Sequence, residues 1–124
     1  MRVLAGVVLA GGLGALARYG LDGFISSRTP SAFPWGILVV NISGSFVLGL
    51  IFTVMTNRFA GSSDLRVWIT TGFLGAYTTF STLTLESVRL LQDRAYLLAA
   101  ANSVGSLGLG LLAAAAGIAL GSAV

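Results

Sequence analysis

The stretch Thr70-Thr71-Gly72-Phe73-Leu74-Gly75-Ala76-Tyr77-Thr78-Thr79-Phe80-Ser81-Thr82-Leu83-Thr84-Leu85-Glu86 decides how this chain is read, because residues 67–85 carry no charge and yet eight of the seventeen quoted residues carry a hydroxyl. An uncharged run of this length suits a bilayer crossing, which takes about 20 mostly apolar residues. Lipid offers those hydroxyls no partner. Two glycines followed by a hydroxylated, β-branched run also weaken helix propensity near mid-bilayer depth, so the sequence predicts a break between Gly75 and Thr79. Irregular backbone in a membrane is tolerated where it is buried in protein or lines a polar cavity, and released carbonyls suit a cation. A buried alkali ion is therefore one reading. The other is a continuous helix whose Ser and Thr hydroxyls bond back to carbonyls four residues earlier, and the stretch alone fits both.

Outward from this segment the chain is of one character. Of 124 residues, 56% are hydrophobic and 9% charged, and the mean hydropathy is +0.93; soluble domains carry about 25% charged residues. A water-soluble globule is excluded. Uncharged stretches at 3–17, 29–57, 67–85 and 95–124 predict an all-α integral membrane protein with four transmembrane helices, at about 3–25, 35–56, 65–91 (broken near 75–79) and 95–120, in a single domain spanning 1–124. Met1-Arg2 and the apolar run after it are read as the first crossing rather than as a cleaved signal peptide. Pro34-Trp35 marks the start of the second, since proline suits a first helical turn and tryptophan the membrane interface. Little chain remains for a soluble catalytic unit, no nucleophile and base constellation is visible, and an enzyme is not expected.

The seven basic residues are all arginine, there is no cysteine, and the net charge is +3. The arginines are scattered singly, which argues against nucleic acid. With four crossings, Arg2, Arg58 and Arg66 fall on one side and Arg28, Arg89 and Arg94 on the other, with Arg18 near the far end of the first segment. Three against three or four gives the positive-inside rule almost nothing to choose by. Both orientations are then accessible, unless a partner or the insertion machinery overrides a weak bias.

Polar groups at membrane depth recur on three segments: Asn41 with Ser43 and Ser45 on the second, the Thr79, Thr82 and Glu86 stripe on the third, and Asn102 with Ser106 on the fourth. Any one of them is accounted for by interhelical hydrogen bonding; together they suggest a polar pathway. Glu86 is the sole acid read as lying well inside a crossing, so neither a proton relay nor a cation-selecting ring of carboxylates is available. Hydroxyl and amide hydrogens, with the electropositive edge of the Phe80 ring, would solvate a small anion weakly enough for it to leave.

These residues resemble the Fluc (CrcB) family of fluoride-specific ion channels over essentially the whole chain. The resemblance is carried by Gly11-Gly12-Leu13-Gly14-Ala15-Leu16-Ala17-Arg18-Tyr19, by Phe33-Pro34-Trp35-Gly36 through Asn41-Ile42-Ser43-Gly44-Ser45-Phe46, and most specifically by Gly72 through Thr82. It implies an antiparallel dual-topology dimer in the cell membrane, with two fluoride pathways and a central structural sodium that is not transported. It implies that the backbone carbonyls of Gly75 and Thr78 bind that sodium, and that fluoride passes Asn41, Phe80, Ser81, Thr82 and Glu86, with Arg18 in the aqueous vestibule. Asn102 and Ser106 belong to the same polar route. Fluoride, the lipid bilayer and a second copy of the chain are the implied partners.

Three positions depart from the family pattern: Ile37 replaces a usual threonine, Leu83 a second pore phenylalanine and Asn102 a fourth-helix tyrosine. Leu83 keeps apolar packing but offers no ring edge to an anion, and Asn102 retains hydrogen-bond donors. These departures raise the alternative of a paralogous partner subunit in a heterodimer, this chain being non-conducting on its own. The small-residue spacing Ala113, Gly117, Gly121 would suit such an assembly role. A small dual-topology drug or cation exporter is the other alternative, with Glu86 as its only candidate carboxylate.

Overall fold

The computed structural model describes residues 1–61 and 63–124; Ser62, in the predicted polar connection 57–66, lies outside them. Every regular element among the described residues is helical. Helix α1 is Arg2–Arg28 and α2 is Trp35–Arg58. The run that contains the hydroxylated stretch begins with α3, Ser63–Val67, continues through a π-helical segment Trp68–Leu74 into α4, Gly75–Tyr77, and resumes as α5, Phe80–Gln92. The last run consists of α6, Tyr96–Ala100, a π-helical segment Ala101–Gly105 and α7, Ser106–Ala123.

Three helical runs among the described residues are long and apolar enough to cross a membrane: Arg2–Arg28, Trp35–Arg58 and Tyr96–Ala123. Their ends follow from local chemistry. Pro34 precedes α2, where its missing N–H leaves no orphaned donor. At the end of α5, Arg94 N–H donates to the Leu91 carbonyl at 3.0 Å and Ala95 N–H to that of Leu90 at 2.8 Å, with Arg94 at φ 59°. This is a Schellman closure with arginine where glycine is usual.

Packing is backbone against backbone. A Cβ on Gly117 would strike the Phe46 carbonyl and one on Gly49 the Ala114 carbonyl, so α2 and α7 meet along a seam that admits only hydrogen. On the opposite flank, a Cβ on Gly14 would strike the Phe73 carbonyl, which brings α1 against the π-helical segment Trp68–Leu74. Small residues permit such approach where lipid removes the hydrophobic drive between helices and van der Waals contact must supply association. Trp68 Nε1 donates to the Val3 carbonyl at 3.2 Å and ties the same two elements at one end.

The core is thin. Ile37, Leu38, Val40, Met55, Leu74, Leu90 and Ala99 are its buried apolar side chains, while Val8, Leu9, Leu97, Leu107 and Leu112 face outward. An apolar exterior wrapped around small-residue contacts is the inverse of a soluble domain and is what a hydrocarbon surrounding requires.

Candidate functional site

Two residues separate α4 from α5, and both are extended: Thr78 at φ −81°, ψ 156° and Thr79 at φ −148°, ψ 111°. Thr79 serves as the N-cap of α5, its Oγ1 accepting the Thr82 N–H at 3.2 Å, the bond that makes threonine a favoured cap. From α2, the side-chain amide of Asn41 engages the same residue twice. Its Oδ1 accepts the Thr79 N–H at 2.8 Å and its Nδ2 donates to the Thr79 carbonyl at 3.1 Å. From α1, Arg18 Nε donates to the Ala76 carbonyl at 3.3 Å. That carbonyl ends a helical run, where a cation is favoured by the helix dipole. Ser43 Oγ and Tyr77 Oη lie 2.9 Å apart and close the α2 side.

Seven of the nine hydroxyls between Thr70 and Ser87 fall into two groups, with Thr71 and Tyr77 in neither. Thr70, Thr78, Thr84 and Ser87 bond back to carbonyls of Arg66, Leu74, Ser81 and Leu83 at 2.8, 3.1, 2.9 and 2.8 Å, and they are satisfied by the helical turn that precedes or contains them. Thr79, Ser81 and Thr82 instead meet one another: Thr79 Oγ1 lies 3.3 Å from Ser81 Oγ and 3.1 Å from Thr82 Oγ1. A connected hydroxyl cluster therefore begins at the interruption and extends onto the first turn of α5.

Phe80 is 77% exposed and projects into an open groove of about 740 Å³ that it shares with Asn41, Ser45, Thr79, Leu83 and Ser106. Behind that groove Asn102 is fully buried, donating Nδ2 to Ser87 Oγ at 2.9 Å and to the Leu83 carbonyl at 3.4 Å. Among the described residues, Asn102 Oδ1 and Ser106 Oγ are the buried side-chain oxygens without a partner. A second recess of about 260 Å³ is lined by Asp22, Ser26, Trp35, Ile37, Thr82 and Glu86. Glu86 pairs there with Arg89 at 3.1 Å, a largely exposed i, i+3 contact.

The expected site residues thus fall into separate places. Asn41, Thr78, Phe80 and Ser106 share the groove, Thr82 and Glu86 border the recess, and Arg18 sits at the Ala76 carbonyl. Ser81 touches Thr79, Gly75 is exposed, and Asn102 is enclosed with its two amide hydrogens in use. Sequence reasoning passed over Asp22, which accepts from Ser26 Oγ at 3.1 Å. Its signal was a serine four residues on, at Ser26, on the same helix face.

Comparison with known proteins adds an independent line. The family profile described as CrcB-like protein, Camphor Resistance (CrcB), matches residues 5–118. The chain is 47% identical over 119 residues to the fluoride-specific ion channel FluC 1 of Leifsonia xyli subsp. xyli, covering 96% of this chain and 86% of the relative. It is 47% identical over 103 residues to the fluoride-specific ion channel FluC of Nitratidesulfovibrio vulgaris, 83% of each chain. Against the FluC of Geobacter sulfurreducens it is 39% identical over 118 residues, 95% of each. The profile match at 5–118 takes in nearly all of the three membrane-capable helical runs and the whole hydroxylated stretch, so the chain belongs to the CrcB-like family of multi-pass membrane proteins.

Proposed function

We propose that this chain is a fluoride-specific channel that lowers cytoplasmic fluoride by passive export across the cell membrane. The observation that carries the reading is the exposed Phe80 ring at the start of α5, set in one groove with the Asn41 amide and the unpartnered Ser106 hydroxyl. A ring edge and neutral O–H and N–H donors solvate a small anion without the deep well that a fixed cation would create. The relatives' names point to the same ion. On the fourth crossing the Ser106 hydroxyl, buried in the groove wall, is a donor not committed to the protein, whereas Asn102 spends its Nδ2 hydrogens on Ser87 and Leu83.

In this reading the stretch from Ser63 to Gln92 is the remaining crossing, made in two pieces that meet at Thr78 and Thr79. A second, inverted copy closes the groove over Phe80. The near-equal arginine count on the two sides and the apolar exterior support such a pair. The backbone oxygens of Gly75 and Thr78 fit a structural sodium by donor type: they are neutral, hard oxygens at an interruption of regular helix. Among the described residues no group of three or more Asp, Glu, His or Cys side chains offers another metal site. When bound, sodium supplies a fixed positive charge that holds the two copies in register.

Efflux from liposomes containing the purified protein tests the function, with chloride as the control anion and sodium omitted in a parallel arm. Fluoride release without chloride release is expected. Equal passage of chloride refutes selectivity, and absence of any flux favours the heterodimer with a paralogue.

A further inference from the structure

We infer that Asn41 and Thr79 are positioning residues that create the cation-binding carbonyls, by intercepting the two amide hydrogens that an unbroken helix would donate to Gly75 and Thr78. The inference rests on the reading above that those carbonyls hold sodium.

In a continuous α-helix each N–H donates to the carbonyl four residues earlier. The Thr79 N–H would then belong to the Gly75 oxygen, and the Thr82 N–H to the Thr78 oxygen. Each amide has a single hydrogen, and both are directed to side chains instead. The Thr79 N–H goes to Asn41 Oδ1 at 2.8 Å, and the Thr82 N–H goes to Thr79 Oγ1 at 3.2 Å. The two carbonyls released by these diversions are the same two that the sodium reading requires.

The interceptors differ in origin. Thr79 acts locally, as the cap of α5. Asn41 acts from α2 and grips the Thr79 peptide at both ends, since its Nδ2 also donates to the Thr79 carbonyl at 3.1 Å. Rotating Thr79 into helical geometry would break both bonds at once. α2 is held close enough for this grip by Gly44, where a Cβ would strike Thr78 Cγ2 and lie 3.1 Å from the Tyr77 ring. The Ser45 hydroxyl bonds the Asn41 carbonyl at 2.7 Å on the same turn.

Sodium affinity is therefore linked to the fraction of molecules in which both amides are diverted. Thr79→Val keeps the side-chain shape but loses the acceptor, returning the Thr82 N–H to Thr78. Asn41→Leu does the same for the Thr79 N–H and Gly75. Thr79→Ser retains the acceptor.

The test is the sodium dependence of the melting temperature of the purified full-length protein in detergent, without fluoride, at constant ionic strength with N-methylglucamine as the replacement cation. Thr79→Val is expected to raise the half-maximal sodium concentration about fivefold, the size of an N-cap contribution. Asn41→Leu is expected to raise it about tenfold or more, as for two lost hydrogen bonds. Thr79→Ser is expected to stay within about twofold of the parent, because its hydroxyl caps equally well. If the parent shows a sodium shift and both loss variants titrate as it does, the interception is overturned while the sodium site stands. If the parent shows no shift at all, the sodium reading fails and the inference with it. Should Asn41→Leu lose its cooperative melt, the Thr79→Val and Thr79→Ser pair decides the question alone.

Discussion

The Asn102 side chain, fully buried on the fourth helical run, donates its Nδ2 to Ser87 Oγ 2.9 Å away on α5. Ser87 in turn donates to the Leu83 carbonyl at 2.8 Å, which Asn102 also reaches at 3.4 Å. The three groups join the two final helical runs through one closed set of bonds. Interhelical hydrogen bonds in membranes contribute about 0.6 kcal/mol on average and up to about 1.7. A double-mutant cycle with Asn102→Ala and Ser87→Ala, read from unfolding in micelles, should give a coupling of about 0.5–1.5 kcal/mol. A coupling near zero would show that the contact holds nothing together.

Ser106 and Ser103 are both serines of the fourth run bordering the groove, but their hydroxyls differ. Ser103 Oγ donates to the Ala99 carbonyl at 2.8 Å, whereas Ser106 Oγ is buried with no partner among the described residues. Only the second has a hydrogen free for an anion, and a hydrogen bond to a charged group is worth about 1.5–3 kcal/mol. Ser106→Ala should therefore lower fluoride flux in liposomes by about tenfold or more, while Ser103→Ala leaves it near the parent value. Equal loss in both variants would argue for a packing effect instead.

How far the sequence could be read is clearest at these positions. Absence of charge over long stretches is a one-dimensional property, and it yielded an all-helical membrane chain without any contact being known, while the family resemblance came from the motifs at 11–19, 33–46 and 72–82. The hydroxyls were legible only as a class. Back-bonding at Thr70, Thr78, Thr84 and Ser87 and clustering at Thr79, Ser81 and Thr82 use the same residue types. Which occurs depends on the nearest acceptor, a carbonyl three or four residues earlier in one group and the Thr79 hydroxyl at the α5 cap in the other. Asn41 was recognisable as a polar group at depth, but its grip on Thr79 joins residues 38 apart. Helical periodicity assigns a face and cannot name the peptide opposite it. The same limit hid the engagement of Asn102, whose donors looked free until Ser87 was placed beside them.

The seam between α2 and α7 gives a stability prediction with an internal control. A methyl at position 117 would meet the Phe46 carbonyl and the Leu50 amide, both backbone atoms that cannot rotate away, whereas a Cβ at Gly108 meets nothing within 4 Å. Gly117→Ala should lower unfolding stability by about 1–3 kcal/mol, as overpacking does. Gly108→Ala should be neutral or stabilising by up to about 1 kcal/mol, since alanine is the better helix former. Thermal denaturation of the two variants in one detergent measures the contrast, and a tolerated alanine at 117 would mean that the seam opens in the native protein.

Arg18 carries both a charge and a directed hydrogen bond, and the two can be separated. Its Nε donates to the Ala76 carbonyl at 3.3 Å, an oxygen freed because regular helix stops at Tyr77. Lysine keeps the charge but has no donor on the stem, so Arg18→Lys should retain the attraction of anions and lose the cap. Arg18→Met should lose both. Attraction by a half-buried charge that reaches solvent is screened by salt over about 10 Å at 0.1 M, whereas a capped carbonyl is not. Fluoride flux through the lysine variant should therefore stand below the parent by a factor that ionic strength does not change, about threefold to tenfold for one lost bond. The methionine variant should show a further deficit that fades as an impermeant salt is raised. If the lysine variant instead matches the parent at every salt concentration, Arg18 acts by charge alone and the Ala76 contact has no part in conduction.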